Sequence, residues 1–192
     1  MSSWQLINDA LLPSNTSAAL VLLFCIFSPE NFVLALAIGL TFLVYLPHFK
    51  KTVKKPEKKE VTDEKRRVKR FKLYAKWTEY QLIGAVLFLV LGFKILFLLA
   101  TSMAMVSSLL WLVNHYTRVS IHVATVTGGV IALTYLFGLN ALLLYALIPL
   151  SALVKSRLGS HSNTQMLLGF VAGTSGTLVV FEFLPSLTFS FF

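Results

Sequence analysis

Charged side chains are scarce in this chain of 192 residues. Asp, Glu, Lys and Arg make up 13% of it, which is about half of their usual share in soluble globular domains. Hydrophobic residues account for 56%, and the mean hydropathy is +0.76. Because so little polar surface is present to cover a water-facing exterior, the composition predicts an integral membrane protein. The length suits a single membrane domain over residues 1–192.

Cysteine is almost absent, since Cys25 is the only one and lies within an apolar run. This excludes an internal disulfide and a metal site built from cysteines. Residues 1–16 also lack the basic segment that opens a signal peptide, so the first apolar run is expected to be retained.

Acidic residues are too few to balance the basic ones, and the imbalance is local. Residues 50–76 hold 13 of the 17 Lys and Arg and four of the eight Asp and Glu, so they carry the whole net charge of +9. A basic loop over residues 48–77 is typical of a cytoplasmic loop that fixes membrane orientation and binds anionic lipid headgroups. Its charges are not interleaved with stacking aromatics, which argues against nucleic acid as a partner. Thr62 and Asp63 predict the start of an interfacial helix within it.

Apolar runs with short polar breaks predict an all-α bundle of about six to seven short transmembrane helices. Two runs flank residues 28–31, and a hairpin there keeps Glu30 out of lipid, where it would cost about 2.5 kcal/mol or more. The run over residues 80–111 is too long for one span, so two helices are predicted to turn near Lys94. A third pair follows, divided at Gly138, and residues 166–183 form the last span.

Counting the crossings places three polar segments on one membrane face: the basic loop, residues 117–122 and residues 155–165. Nearly all Lys and Arg lie on this face, which the positive-inside rule makes cytoplasmic. The three segments carry groups suited to a phosphate, because cations neutralise its oxygens and a histidine can act as nucleophile or as acid. The candidates are Arg66, Arg70, Arg118, Ser120, His122, Lys155, Arg157, His161 and Gln165.

Two of these segments resemble motifs of the type 2 phosphatidic acid phosphatase superfamily. That family carries Lys-x6-Arg-Pro, then Pro-Ser-Gly-His, then Ser-Arg-x5-His-x3-Asp. Ser120-Ile121-His122 is similar to the second motif, and Lys155-x5-His161-x3-Gln165 is similar to the third. The order of the motifs and the two spans between them also match, and the resemblance extends over residues 63–176.

The resemblance implies a membrane phosphatase that needs no metal or cofactor and hydrolyses the phosphate or diphosphate of a phospholipid or isoprenoid. His161 would attack phosphorus and form a phosphohistidine, and Gln165 would hold its other ring nitrogen. His122 would protonate the leaving oxygen and later activate water. The phosphoryl oxygens would be held by Lys155, Ser120 and the basic residues Arg66, Arg70, Arg118 and Arg157.

The sequence departs from the family pattern in each motif. Gln165 stands where the family has Asp, Lys155 where it has Arg, and Ile121 where it has Gly. The first motif lacks Arg-Pro and keeps only the spacing from Lys59 to Arg66. A neutral amide cannot stabilise an imidazolium as a carboxylate does. Gln in the last motif resembles a divergent branch of the family.

The departures leave other interpretations open. One is a catalytically inactive, phosphatase-like lipid binder or membrane scaffold. A transporter is a third, disfavoured because Lys94 is the only charge that falls deep in a span and no inverted repeat is visible. His122 and His161 also fit interfacial or loop positions, and the nearby basic residues fit anchors at the membrane surface.

Overall fold

The computed structural model describes residues 3–27, 31–48 and 63–188, and every regular element in these ranges is helical, which confirms the predicted all-α class. In chain order the elements are α1 (Ser3–Ala10), α2 (Pro13–Ile26), α3 (Phe32–Gly39), a π-helical segment (Leu40–Tyr45), a single turn (Leu46–His48), α4 (Asp63–Val90), α5 (Lys94–Tyr116), α6 (Ile121–Phe137), a 3-10 helix (Gly138–Ala146), α7 (Leu147–Arg157) and α8 (Asn163–Thr188).

Three helical stretches are long and apolar enough to cross a membrane. They are Lys94–Tyr116, Ile121–Arg157 and Asn163–Pro185, with mean hydropathies of 2.1, 2.0 and 1.7. The pair α1 and α2 adds a fourth if its 47° bend is taken as a break within one span. By length and composition, the part of the chain that the structure describes therefore holds three or four candidate spans, against six to seven predicted.

The stretch Ile121–Arg157 is folded back on itself rather than straight. Gly138 has a φ of 59°, a left-handed conformation that glycine adopts without strain, and α6 ends beside it. The 3-10 helix then reverses the chain, and the hydroxyls of Thr134 and Tyr145 come within 3.3 Å. The stretch consists of two antiparallel helices, α6 and α7, divided at Gly138 as the apolar pattern predicts.

The other helices also alternate in direction, as contacts at the two ends of the bundle show. At one end, the indole N–H of Trp77 in α4 donates to the carbonyl of Pro47, in the turn after α3. At the opposite end, the rings of Phe27 and Phe137 lie edge to face with centroids 5.1 Å apart. α4 ends at Val90 and α5 begins at Lys94, which confirms the predicted turn near Lys94.

The basic loop predicted over residues 48–77 is described only in part, since residues 49–62 lie outside the described residues. From Asp63 onward it belongs to α4, which continues without a break to Val90. The guanidinium of Arg67 donates to the carbonyl of Tyr116, and that of Arg70 to the carbonyl of Val119, both at 3.4 Å. These hydrogen bonds connect the basic start of α4 to the end of α5 and to the segment between α5 and α6.

Helices α6 and α8 approach each other more closely than side chains usually permit. A Cβ atom at Gly169 would lie 2.4 Å from the carbonyl oxygen of Ser120, and one at Gly173 would lie 2.4 Å from that of Ala124. Only glycine fits at both positions, because the opposing atoms are backbone and cannot rotate away. The close approach allows the N–H of Ser120 to donate to the carbonyl of Gln165 at 3.0 Å.

We expect Gly169→Val to destabilise the protein by about 1–3 kcal/mol, the usual cost of forcing extra carbon atoms into a packed interface. The measurement is the thermal unfolding midpoint of detergent-purified protein. Ser175→Val is the matched control, since it enlarges an exposed residue of the same helix. Equal midpoints for the two variants would contradict the close packing.

Candidate active site

The end of α7 determines where His161 lies. The N–H of Gly159 donates to the carbonyl of Ser156 at 2.9 Å, and the N–H of Ser160 donates to the carbonyl of Lys155 at 3.1 Å. This pair of bonds is a Schellman motif, which requires a left-handed residue just after the helix end, and Gly159 supplies it with a φ of 58°. The helix therefore stops sharply after Arg157, and His161 occupies the short connection to α8.

The start of α8 fixes the side chain of Gln165. The N–H of Gln165 donates to the hydroxyl of Ser162 at 3.3 Å, and the N–H of Ser162 donates to Oε1 of Gln165 at 3.4 Å. This reciprocal arrangement is a capping box, in which two N–H groups at the helix start are satisfied together. Sequence reasoning missed Ser162, although the spacing Ser162-x-x-Gln165 was a usable signal.

The imidazole of His161 is held by the same amide oxygen. Its Nδ1 lies 2.9 Å from Oε1 of Gln165. Because the N–H of Ser162 also points at that atom, and a backbone N–H can only donate, the atom is the amide oxygen and acts as an acceptor. Nδ1 of His161 therefore carries the hydrogen, and Nε2 keeps its lone pair. A histidine in this tautomer presents a nucleophilic nitrogen on the side away from Gln165.

Three cations from separate parts of the chain influence the ionisation of His161. Arg70 comes from α4, Arg118 from the connection between α5 and α6, and Lys155 from α7. Their charges all act on the imidazole and lower its pKa. Three of the predicted basic residues thus act on the predicted nucleophile, in an arrangement that suits an anion.

Burial is the largest cause of the lowered pKa of His161, and the three cations add to it. The hydrogen bond that Nδ1–H donates to Gln165 acts in the opposite direction and raises the pKa. Because the net shift is downward from the ordinary value of 6.5, the imidazole is neutral at pH 7 and its Nε2 lone pair is available.

The second motif lies beside the third. Ser120 is fully buried at the start of α6, and its hydroxyl has no hydrogen-bond partner among the described residues. A buried hydroxyl of this kind is a candidate donor to a ligand oxygen. His122 is half-buried two residues later, and both of its ring nitrogens are shielded from solvent. Ile121, in place of the family's Gly, is buried in the apolar cluster that includes Tyr74 and Trp77.

One of the predicted site residues, Arg157, is not brought to His161. Arg157 lies in the last turn of α7 but is exposed, and its charge is not among those that shift the pKa of His161. It follows Lys155 by two residues, a spacing that places side chains on different faces of a helix. Arg66 lies in the first turn of α4, and its side chain is outside the described residues.

Asn8 is a site neighbour that sequence reasoning missed. Its side-chain oxygen accepts a hydrogen bond from the ammonium of Lys155. No motif marks Asn8, which lies in the polar segment before the first long apolar run and far from Lys155 in sequence.

Within the described residues, no group of three or more His, Cys, Asp or Glu side chains could hold a metal ion.

No protein family model matches this chain, and neither the curated proteins nor the solved structures include a match. The interpretation of the site therefore rests on its own geometry and chemistry.

The arrangement predicts opposite shifts for two substitutions, measured by NMR titration of isotope-labelled histidine. Arg118→Gln removes a positive charge that acts on His161, so the pKa of His161 is expected to rise. Gln165→Leu removes the hydrogen bond that raises that pKa, so it is expected to fall further.

The matched control is Lys76→Gln, which removes an exposed positive charge from α4 without altering a charge that acts on His161. Its titration is expected to follow the wild type. Shifts of the same sign in Arg118→Gln and Gln165→Leu would contradict the assigned tautomer and cation arrangement.

Proposed function

We propose that this protein is a multi-pass membrane phosphatase that hydrolyses the phosphate or diphosphate of a lipid or isoprenoid through a phosphohistidine on His161. The observation that carries the proposal is the neutral imidazole, which Gln165 holds at Nδ1 and on which the charges of Arg70, Arg118 and Lys155 act. Phosphoryl transfer depends mainly on positioning and on charge stabilisation, and these groups supply both.

A membrane setting is supported by the exposed surface as well as by the candidate spans. Leu143 is 87% exposed and Leu139 is 79% exposed, as expected of side chains in contact with lipid. The candidate site lies at the end of the bundle where α4 starts, which is also the end that carries the basic loop. By the positive-inside rule this end is cytoplasmic, where phosphorylated lipid headgroups are in reach.

In the first step, the lone pair on Nε2 of His161 attacks phosphorus. The bond from phosphorus to the leaving oxygen breaks, and protonated His122 transfers its proton to that oxygen, which departs as an alcohol or as a phosphate. Arg70, Arg118 and Lys155 neutralise the phosphoryl oxygens as charge develops. The hydroxyl of Ser120 donates to one of them.

In the second step, water attacks the phosphohistidine. His122, now neutral, accepts a proton from the water as the oxygen bonds to phosphorus. The bond from phosphorus to Nε2 breaks, which releases inorganic phosphate and restores both histidines. Gln165 keeps the proton on Nδ1 throughout, so that Nε2 remains the reacting nitrogen.

A binder without turnover is the second candidate, and the identity of residue 165 favours it. The amide of Gln165 orients the imidazole but carries no charge to stabilise the cationic form that a phosphohistidine resembles. A site of this kind can still hold the phosphate of a lipid, because its cations do not depend on Gln165.

Phosphate release from detergent-purified protein tests the proposal, with isoprenyl diphosphates, phosphatidate and phosphatidylglycerophosphate as substrates and EDTA present. Wild type is expected to release phosphate, and His161→Ala only background amounts. His122→Ala is expected to lower kcat by about 10²–10⁴-fold.

His115→Ala is the matched control, because it removes an exposed histidine near the end of α5 and is expected to keep full activity. No release from any substrate, with folded protein that still binds these lipids, would favour the binder. Equal release from wild type and His161→Ala would reject His161 as nucleophile.

A further inference from the structure

Helix α1 is joined to the site by a line of hydrogen bonds. The ammonium of Lys155 donates to Oδ1 of Asn8, and Nδ2 of Asn8 donates to the carboxylate of Asp9 at 3.2 Å. The carboxylate thereby orients the amide with its oxygen towards Lys155. The carbonyl of Asp9 accepts a bond from Nδ2 of Asn15 at 2.8 Å, which fixes the corner between α1 and α2.

Lys155 is only 6% exposed, so its ammonium is largely removed from water and requires polar partners. A neutral amide supplies one without cancelling the charge, whereas a carboxylate in the same position would form an ion pair. An ammonium carries three N–H donors, so it can bind Asn8 and a phosphoryl oxygen together. Lys155 lies close to His161 along the chain's turn, because Ser160 donates to the carbonyl of Lys155 from both its N–H, at 3.1 Å, and its hydroxyl, at 3.2 Å. The charge of Lys155 also acts on His161.

We propose that Asn8 is a positioning residue that holds the charged ammonium of Lys155 where a phosphoryl group binds beside His161. The proposal rests on the proposed function for the identity of the ligand. It makes α1 part of the phosphate site, although none of the three sequence motifs includes this helix.

A purely structural role for Asn8 predicts a different outcome. None of the residues of α1 is buried, so this helix adds little to the apolar core of the bundle. Loss of a structural contact would lower stability in any Asn8 variant. It would not change the electrostatic environment of His161 in a manner that depends on the charge at position 8.

Asn8→Asp is the first test. The new carboxylate would form an ion pair with Lys155 and cancel its effect on His161, so the pKa of His161 is expected to rise in an NMR titration. Binding of inorganic phosphate, followed by the shift of the His161 signals, is expected to weaken about tenfold. Asn140→Asp is the matched control, because it changes an exposed Asn at the opposite end of the bundle. It is expected to change neither the pKa of His161 nor the binding of inorganic phosphate.

Asn8→Ala is the second test, because it frees the ammonium without adding charge. Phosphate binding is expected to weaken while the pKa of His161 does not rise. An unchanged pKa in folded Asn8→Asp, or unchanged phosphate binding in both variants, would overturn the role of Asn8.

The same measurements separate this proposal from the phosphatase. If wild type binds inorganic phosphate, Asn8→Asp weakens the binding and no lipid phosphate is hydrolysed, the phosphatase fails and the role of Asn8 stands. If wild type binds no inorganic phosphate but hydrolyses a lipid phosphate, the role of Asn8 fails and the phosphatase stands.

Discussion

The hydrogen bond from the N–H of Ser120 to the carbonyl of Gln165 is the contact on which the candidate site depends. It forms because Gly169 and Gly173 present no side chain to α6, so the two backbones can approach. Two segments separated by two helices thereby become neighbours, one with Ser120 and His122 and the other with His161 and Gln165. Without this approach, the motifs would share a face of the bundle but not a site.

The electrostatics of the site favour an anion and an uncharged imidazole. Arg70, Arg118 and Lys155 repel one another until a ligand of opposite charge neutralises them, and burial strengthens that repulsion by excluding water. Together with burial, which is the larger cause, the three charges disfavour a proton on the imidazole of His161. In the proposed phosphatase, the same charges would therefore favour both the binding of a phosphoryl group and a neutral nucleophile.

Much of the fold could be predicted because it depends on local patterns. The helical class, the turn at Lys94 and the division at Gly138 follow from apolar runs and their breaks. The span count differs from the prediction, because by length and composition Ile121–Arg157 is one candidate span although its division at Gly138 was predicted. Short helices of this kind fall below what a length criterion detects.

The site was predictable only where residues share a motif or a face of the bundle. The charges of Arg70, Arg118 and Lys155 act on His161, and their roles in binding remain predictions. Asn8 could not be foreseen, since its contact with Lys155 depends on how α1 bends away from α2. The exposure of Arg157 follows from helical periodicity, which a count of basic residues ignores.

The oxygen of the Gln165 amide has two hydrogen-bond partners, and this limits which substitutions residue 165 can accept during evolution. It completes the first turn of α8 and it selects the tautomer of His161. The shorter Asp of the family that the motif resembles lacks a methylene group and would have to reach both partners from further away. Glu and Gln are the residues that a capping box accepts at this position. A substitution at residue 165 that keeps both contacts therefore needs a side chain of the same length, because the start of α8 and the orientation of His161 depend on one oxygen atom.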